Sequence, residues 1–195
     1  MDARQQLRRS IRTMRNTLSR TQQNFAATAL LEQLLPLAAF NQAKSVALYL
    51  AVDGEIATTA VIEYCWEMGK AVYLPVLDPN KHNHLLFVVY AKNTKMSLNK
   101  YNIEEPAVPF VNCIAAEQLD LVLLPLVAFD DSGARMGMGG GYYDRSFAFT
   151  SKTLCHTPLL LGLAHALQQV SKLQVENWDI PLNGIVTDNK FFPID

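Results

Sequence analysis

Apolar residues along this chain recur in two periods, one helical and one strand-like, and the switches between them divide it into elements. Over residues 2–19 the positions Leu7, Ile11, Met14 and Leu18 are spaced by four, three and four, one apolar stripe on an amphipathic helix. Arg4, Arg8, Arg12 and Arg15 form a second stripe one step round it. A second helix is predicted over 22–38, with Ala29, Leu30, Leu34 and Leu37 inward and a kink or early end at Pro36. The run 45–51 is strongly apolar and reads as a strand. Asp53 and Gly54 then make a turn, and Glu55 stands before a helix over about 58–68. Gly69 and Lys70 end that helix, and 71–76 is the next strand, closed by Pro75 and Asp78. Strand, helix, strand in that order predicts a parallel βαβ unit. Further strands are predicted over 85–90, 119–128, 159–164 and 184–187, with a helix over 141–149. No internal repeat interrupts the series. The expected fold class is α/β: a three-layer α/β/α sandwich around a mainly parallel sheet, one domain over 1–195, with an N-terminal basic amphipathic helix. Ligands of such sheets sit beyond the carboxyl ends of strands, where residues 53–55, Asp130 and a glycine segment all fall.

Composition narrows the class. Half of the 195 residues are hydrophobic and 18% are charged, enough for a sizeable core and against disorder. No apolar run approaches the roughly 18 residues of a membrane span, and the N-terminus lacks the apolar segment of a secretory signal. Cys65, Cys113 and Cys155 are widely spaced, odd in number and form no CxxC pair, which points to a reducing cytosol. Net charge is −1, yet the first twenty residues carry six arginines against Asp2 alone. Three readings compete for that helix: a solvated face, a nucleic-acid or targeting segment, or a clamp for a phosphorylated ligand. Basic character stops at Arg20 and no aromatic residue interleaves, which argues against nucleic acid.

The densest chemistry lies in 123–145. An apolar run ends in the polar corner Asp130, Asp131, Ser132 and Gly133; then come Arg135 and the glycines Gly137, Gly139, Gly140 and Gly141, followed by Tyr142, Tyr143, Asp144 and Arg145. Strand, glycine loop and helix start together bring backbone N–H groups to a phosphate. A P-loop would end in Gly-Lys-Ser/Thr, and a dinucleotide loop counted from Gly137 would need glycine at 142; tyrosine stands there. A flexible linker is the bland alternative, and the packed Arg, Tyr and Asp residues speak against it.

This segment closely resembles the signature of the 5-formyltetrahydrofolate cyclo-ligase family: Pro, Phe-Asp, Gly, Arg, then Gly-x-Gly-x-Gly-Tyr-Tyr-Asp-Arg. Pro125, Phe129, Asp130, Gly133, Arg135, Gly137, Gly139, Gly141 and 142–145 match it. The resemblance runs through nearly the whole chain, with 125–145 its specific part. It implies ATP-dependent conversion of 5-formyltetrahydrofolate to 5,10-methenyltetrahydrofolate with release of ADP and phosphate. By the same resemblance Arg4, Arg8, Arg135, Met136, Gly137, Met138, Gly139, Gly140, Gly141, Tyr142 and Tyr143 meet ATP. The folate is implied to meet Leu50, Glu55, Tyr101, Met138, Gly139, Gly140, Gly141 and Tyr142. Arg135, Arg8 and Tyr142 are the implied catalytic residues, and Asp144 and Asp179 the implied Mg²⁺ contacts. Family members usually carry Lys at Arg4, and Asn183 replaces a second acidic residue near the C-terminus.

Bland readings stand beside these. Glu55 could be a helix N-terminal carboxylate acting on the dipole; Tyr101 could stack on a folate ring or anchor a turn. Trp178 reads as packing. His82 and His84 sit two apart in a polar loop and read as solvent-exposed rather than metal-binding; His165 is unassigned. The expected state is a cytosolic monomer with no nucleic-acid or membrane partner. A catalytically silent phosphometabolite- or nucleotide-binding domain using the same loop is the alternative.

Overall fold

In the computed structural model, which describes residues 2–107, 113–151 and 157–194, the chain begins with three helices. These are α1 (Ala3–Asn16), α2 (Arg20–Leu34) and α3 (Ala38–Gln42). Asp2 caps α1 through the backbone N–H of Arg4, and Ser19 and Gln22 form a reciprocal capping box that starts α2. Helix α2 stops before Pro36, as expected of a residue that cannot continue the ladder.

An eight-stranded, mostly parallel sheet follows. Its parallel centre is β11 (Gly184–Thr187), β10 (Leu159–Ala164), β7 (Leu121–Pro125), β1 (Ser45–Ala47) and β2 (Ala71–Leu77). The flanking strands β12 (Phe191–Pro193), β3 (Leu85–Val89) and β6 (Cys113–Ile114) are antiparallel, and the order across the sheet is β12-β11-β10-β7-β1-β2-β3-β6. Helix α4 (Thr59–Glu67) joins β1 to β2, so the predicted parallel βαβ unit is present. Two small hairpins stand off the main sheet: β4 (Met96–Leu98) with β5 (Glu104–Pro106), and β8 (Ala128–Phe129) with β9 (Arg135–Met136).

Both faces of the sheet are buried. On one, Leu30 and Leu34 of α2, Phe40 of α3 and Val61, Ile62 and Cys65 of α4 pack on Val46, Leu121, Leu123 and Leu161. On the other, Phe147, Ile180 and Leu182 cover Val122, Leu124, Leu160 and Ile185. Among the described residues, the second helical layer expected from the pattern is therefore reduced to the five-residue α5 (Tyr142–Ser146), the short helical turns Ala116–Gln118 and Ala148–Ser151, and the extended segment around 180–182. Helix α1 lies apart, against a third cluster of Ile11, Val127, Ala128, Met136 and Leu173.

Several predicted boundaries move, each for a local reason. The strand expected over 45–51 leaves the ladder after Ala47, because the Tyr49 carbonyl is taken by the Thr58 hydroxyl at 2.5 Å. Pro75 does not close β2 but lies inside it. Tyr90 donates to Val72, so in the alternating antiparallel pattern the nitrogen of Pro75 faces away from β3, where β1 has already ended. The strand expected over 119–128 breaks after Pro125; the Leu126 and Val127 carbonyls accept from the Gln168 amide at 2.8 and 2.9 Å instead. In the first helix Met14, expected inward, is 41% exposed, while Arg15 is fully buried. Cys65 and Cys113 are free thiols, Cys65 pushed up to about 11 by burial; Cys155 lies outside the described residues.

Candidate active site

The arginine stripe of α1 is bonded to three separate segments. Arg4 pairs with Glu176 at 3.0 Å, Arg8 Nε donates to the Gly137 carbonyl at 2.9 Å, and Arg12 and Arg15 reach Asp53 at 2.6 and 2.8 Å. A spacing of four, four and three keeps these side chains on one face, so a single helix straps the 174–176 loop, the glycine loop and the turn after β1. This disposes of a purely solvated face.

The glycine loop does not follow β7 directly. The β8–β9 hairpin stands between them, and Asp130 is the reason it closes. Its Oδ1 accepts from Ser132 N, Ser132 Oγ and Ala134 N, and its Oδ2 from Leu173 N at 2.7 Å. Burial works against this carboxylate, but the bonds from Ser132, Leu173 and Ala134 together outweigh it and hold its pKa below the ordinary range. Asp130, placed by the sequence at a ligand-facing strand end, is thus occupied by the turn.

Beyond β9 the chain crosses Gly139 at φ +94 and Gly141 at φ +64, left-handed positions that L side chains rarely adopt. A Cβ on Gly139 would lie 3.5 Å from the Arg8 guanidinium carbon, so the guanidinium covers the loop at close range. The Gly140 carbonyl accepts from Asn83 Nδ2 at 2.9 Å and from Arg145 Nη1 at 2.7 Å, which fixes the peptide entering α5. Sequence reasoning missed Asn83, having weighed only the histidines on either side of it. His84 itself bonds the His82 carbonyl at 3.0 Å.

Tyr142 opens α5, and its hydroxyl shares a 2.7 Å hydrogen bond with that of Tyr101, from the turn between β4 and β5. Lys100 lies beside both phenols, and its ammonium is held above the ordinary lysine range by them, Tyr101 first. Met138 is half exposed on the loop, whereas the Met136 side chain is buried in the third cluster, leaving its backbone as the group a ligand could meet. Leu50 is partly buried against the helix-covered face.

Arg135 and Asp144 form a 2.7 Å ion pair, and Asp144 Oδ1 also accepts from the Ile180 N–H at 3.2 Å. Asp179 precedes that residue and accepts from Glu176 N at 2.9 Å, next to the Arg4–Glu176 pair. The two predicted metal carboxylates are therefore brought into one neighbourhood by the 176–180 turn. Among the described residues no three His, Cys, Asp or Glu side chains converge on a point.

Glu55 Oε2 accepts from Val52 N at 3.1 Å, and burial raises its pKa against the pull of that N–H and of Arg15. Tyr143 is held well above the ordinary phenol range by burial and by Glu55, with Arg135 opposing. Tyr143 thus feels both Glu55 and Arg135, although the three belong to different segments. His165, unassigned from sequence, and Arg15, read there only as part of the arginine stripe, back this corner from behind: His165 Nε2 donates to the Gly54 carbonyl at 3.2 Å.

Arginines, glycine amides, tyrosine hydroxyls and two carboxylates gathered around one loop suit the alignment of a polyphosphate with a second ligand. The model of the 5-formyltetrahydrofolate cyclo-ligase family matches residues 1–188. The 5-formyltetrahydrofolate cyclo-ligase of Haemophilus influenzae is 42% identical over 184 residues, spanning 94% of this chain and 96% of the relative. That of Escherichia coli K12 is 38% identical over 180 residues, 92% of this chain and 97% of the relative. Among solved structures, the Aquifex aeolicus 5,10-methenyltetrahydrofolate synthetase superposes with a TM-score of 0.83 at 26% identity, over 99% of this chain and 93% of that one. No helix among the described residues is long and apolar enough to cross a membrane.

Proposed function

The chain belongs to the 5-formyltetrahydrofolate cyclo-ligase family, and from that premise we propose that it cyclises 5-formyltetrahydrofolate to 5,10-methenyltetrahydrofolate in the cytosol at the expense of ATP. The observation that carries the reading is the closure of Arg8 onto the glycine loop, Nε to the Gly137 carbonyl at 2.9 Å with the guanidinium over Gly139. That contact puts a cation against a backbone that no side chain obstructs, which is what a transferring phosphoryl group needs.

A formamide carbonyl is a weak electrophile without a leaving group. In the proposed reaction its oxygen attacks the γ-phosphorus of ATP, the bond to the β-phosphate oxygen breaks, and ADP leaves. N10 of the folate then bonds to the activated carbon, its proton is lost, and the C–O bond breaks to release phosphate. Little covalent chemistry is asked of the protein; it aligns two anions and balances charge. Arg8 and Arg135 are the cations we assign to the phosphates, together with Arg4 nearer the 174–176 loop. Tyr142 and Tyr101, joined through their hydroxyls, would border the folate rings, with Leu50 and Glu55 on its other side and Met138 at the loop. The acidic pair fits an ion that arrives with the nucleotide, since Mg²⁺ commonly takes only one or two protein carboxylates. Asp144 would hold it, with Asp179 beside it, and when bound it supplies charge neutralisation on the phosphates.

The test is coupling. Phosphate should appear only when ATP, Mg²⁺ and 5-formyltetrahydrofolate are all present, in step with the near-ultraviolet absorbance of the conjugated methenyl product. Equal phosphate release without folate, or folate binding with no product, would overturn the reading.

A further inference from the structure

Arg15 has no exposed surface, an unusual position for a charge that an apolar residue could replace in packing terms. Its Nε donates to the backbone carbonyl of Asp53 at 2.7 Å, its Nη2 to Asp53 Oδ2 at 2.8 Å, and Nη2 lies 3.8 Å from Glu55 Oε1. Neutralising Asp53 does not require it, because Arg12 and Asn16 already bond the same carboxylate at 2.6 and 3.0 Å. Of the two arginines, it is Arg15 that also bonds the Asp53 backbone and comes within ion-pair distance of Glu55. Its Nη1 has no hydrogen-bond partner among the described residues, a condition that folding stability alone gives no reason to retain.

The corner it grips is conformationally demanding. Asp53 and Gly54 are both left-handed, at φ +53 and +72. Asp53 carries a side chain in that region, so the geometry must be imposed by its surroundings. A Cβ on Gly54 would come within 3.0 Å of the Arg15 carbonyl oxygen, so the end of α1 rests directly on the corner. Gln23 and His165 each donate to the Gly54 carbonyl at 3.2 Å. The Glu55 carboxylate uses Oε2 on Val52 N, which leaves Oε1 on the side of Arg15.

We propose that Arg15 is a positioning residue for the folate site, holding the 53–55 corner from beneath so that Glu55 is presented in one orientation to the substrate. The proposal rests on the reading of Glu55 as a folate contact. Glu55 is faced by Arg12 and Arg15 from α1, by Asp53 within the corner, by Tyr49 after β1, by Tyr143 from α5 and by His165 after β10. Burial raises its pKa and Arg15 is the stronger of the two opposing cations. Removing Arg15 therefore raises it further.

The experiment compares wild type, Arg15→Met, Arg15→Lys and Glu55→Gln in the full chain. It measures equilibrium binding of 5-formyltetrahydrofolate without ATP across pH, with ATP binding and thermal melting alongside. Arg15→Met should bind folate roughly 10- to 100-fold more weakly near neutrality, as for loss of one charged hydrogen bond. The pH at which folate binding falls off should lie higher than in wild type, and ATP affinity should be unchanged. Arg15→Lys should be intermediate, and Glu55→Gln weak at every pH. If Glu55→Gln is weak but Arg15→Met binds folate like wild type, the role of Arg15 is overturned and Glu55 keeps its own. Wild-type folate binding by Glu55→Gln overturns both. Should Arg15→Met not fold, Arg15→Lys decides: weakened folate binding with normal ATP binding supports the proposal, and wild-type affinity overturns it.

Discussion

Arg135 meets Asp144 at 2.7 Å with its side chain only 7% exposed, so its guanidinium is held in place before any ligand arrives. A pre-oriented cation of this kind loses little entropy when it meets a phosphate. Arg135→Ala should therefore cripple turnover. A charged hydrogen bond contributes on the order of 1.5–3 kcal/mol, so kcat/KM should fall roughly 10- to 150-fold while the far-ultraviolet spectrum stays native. A variant with wild-type kcat/KM would remove Arg135 from the site. The neighbouring residues show how much single positions reveal from sequence. The glycines and tyrosines of 137–143 are recognisable because their order is dense and specific. Arg15 is not, because the row Leu7–Ile11 can continue by three to Met14 or by four to Arg15, and hydrophobicity favours Met14. What decides for Arg15 is the pair of carboxylates at 53 and 55, which only the fold brings underneath it.

At the scale of elements, α1 works as a strap whose attachment is largely ionic. Burial disfavours the Asp53 carboxylate, but the hydrogen bonds from Arg12, Asn16 and Arg15 reverse that and lower its pKa to about 2. The unfolded value is about 3.9. A depressed carboxylate stabilises the fold above its unfolded pKa, and that contribution is lost as pH falls through the folded value. The α1 attachment should accordingly weaken between about pH 4 and pH 2. In thermal melts over that window the midpoint of the wild type should drop more steeply than that of Asp53→Asn, which lacks the titrating group; parallel curves would show that Asp53 does not hold the strap. The long periodic elements were legible in sequence, including α1, α4, β10 and the parallel βαβ unit. Those that went unseen are short and set by side chains. The β8–β9 hairpin has two residues a side and exists because Asp130 closes its turn. The early end of β1 depends on Thr58 bonding the Tyr49 carbonyl.

The whole molecule assembles the site from segments that sequence separates widely. The parallel centre of the sheet sends β1, β7 and β10 out at one end, and the 53–55 corner, the glycine loop and His165 all lie beyond those carboxyl ends, where such sheets bind ligands. The 176–180 turn then closes on this end from the other direction. It carries Asp179 and gives its Ile180 N–H to Asp144, while Glu176 takes Arg4. ATP adds about four negative charges to a neighbourhood that already holds these carboxylates, so an ion between them is the arrangement that electrostatics favours. Asp144 is also the partner of Arg135, and its replacement has two separable consequences. Loss of metal affinity can be offset by mass action; loss of the Arg135 pairing cannot. Asp144→Asn should therefore lose activity at ordinary Mg²⁺ and recover part of it at high Mg²⁺, with folate binding in the absence of ATP little changed. Asp179→Asn should follow the same pattern more weakly, since its carboxylate is already engaged by Glu176 N. If Asp144 instead serves only structure, through Arg135 and the Ile180 N–H, the substitution costs stability and not activity. Activity would then stay near wild type, and the Mg²⁺ titrations of variant and wild type would coincide.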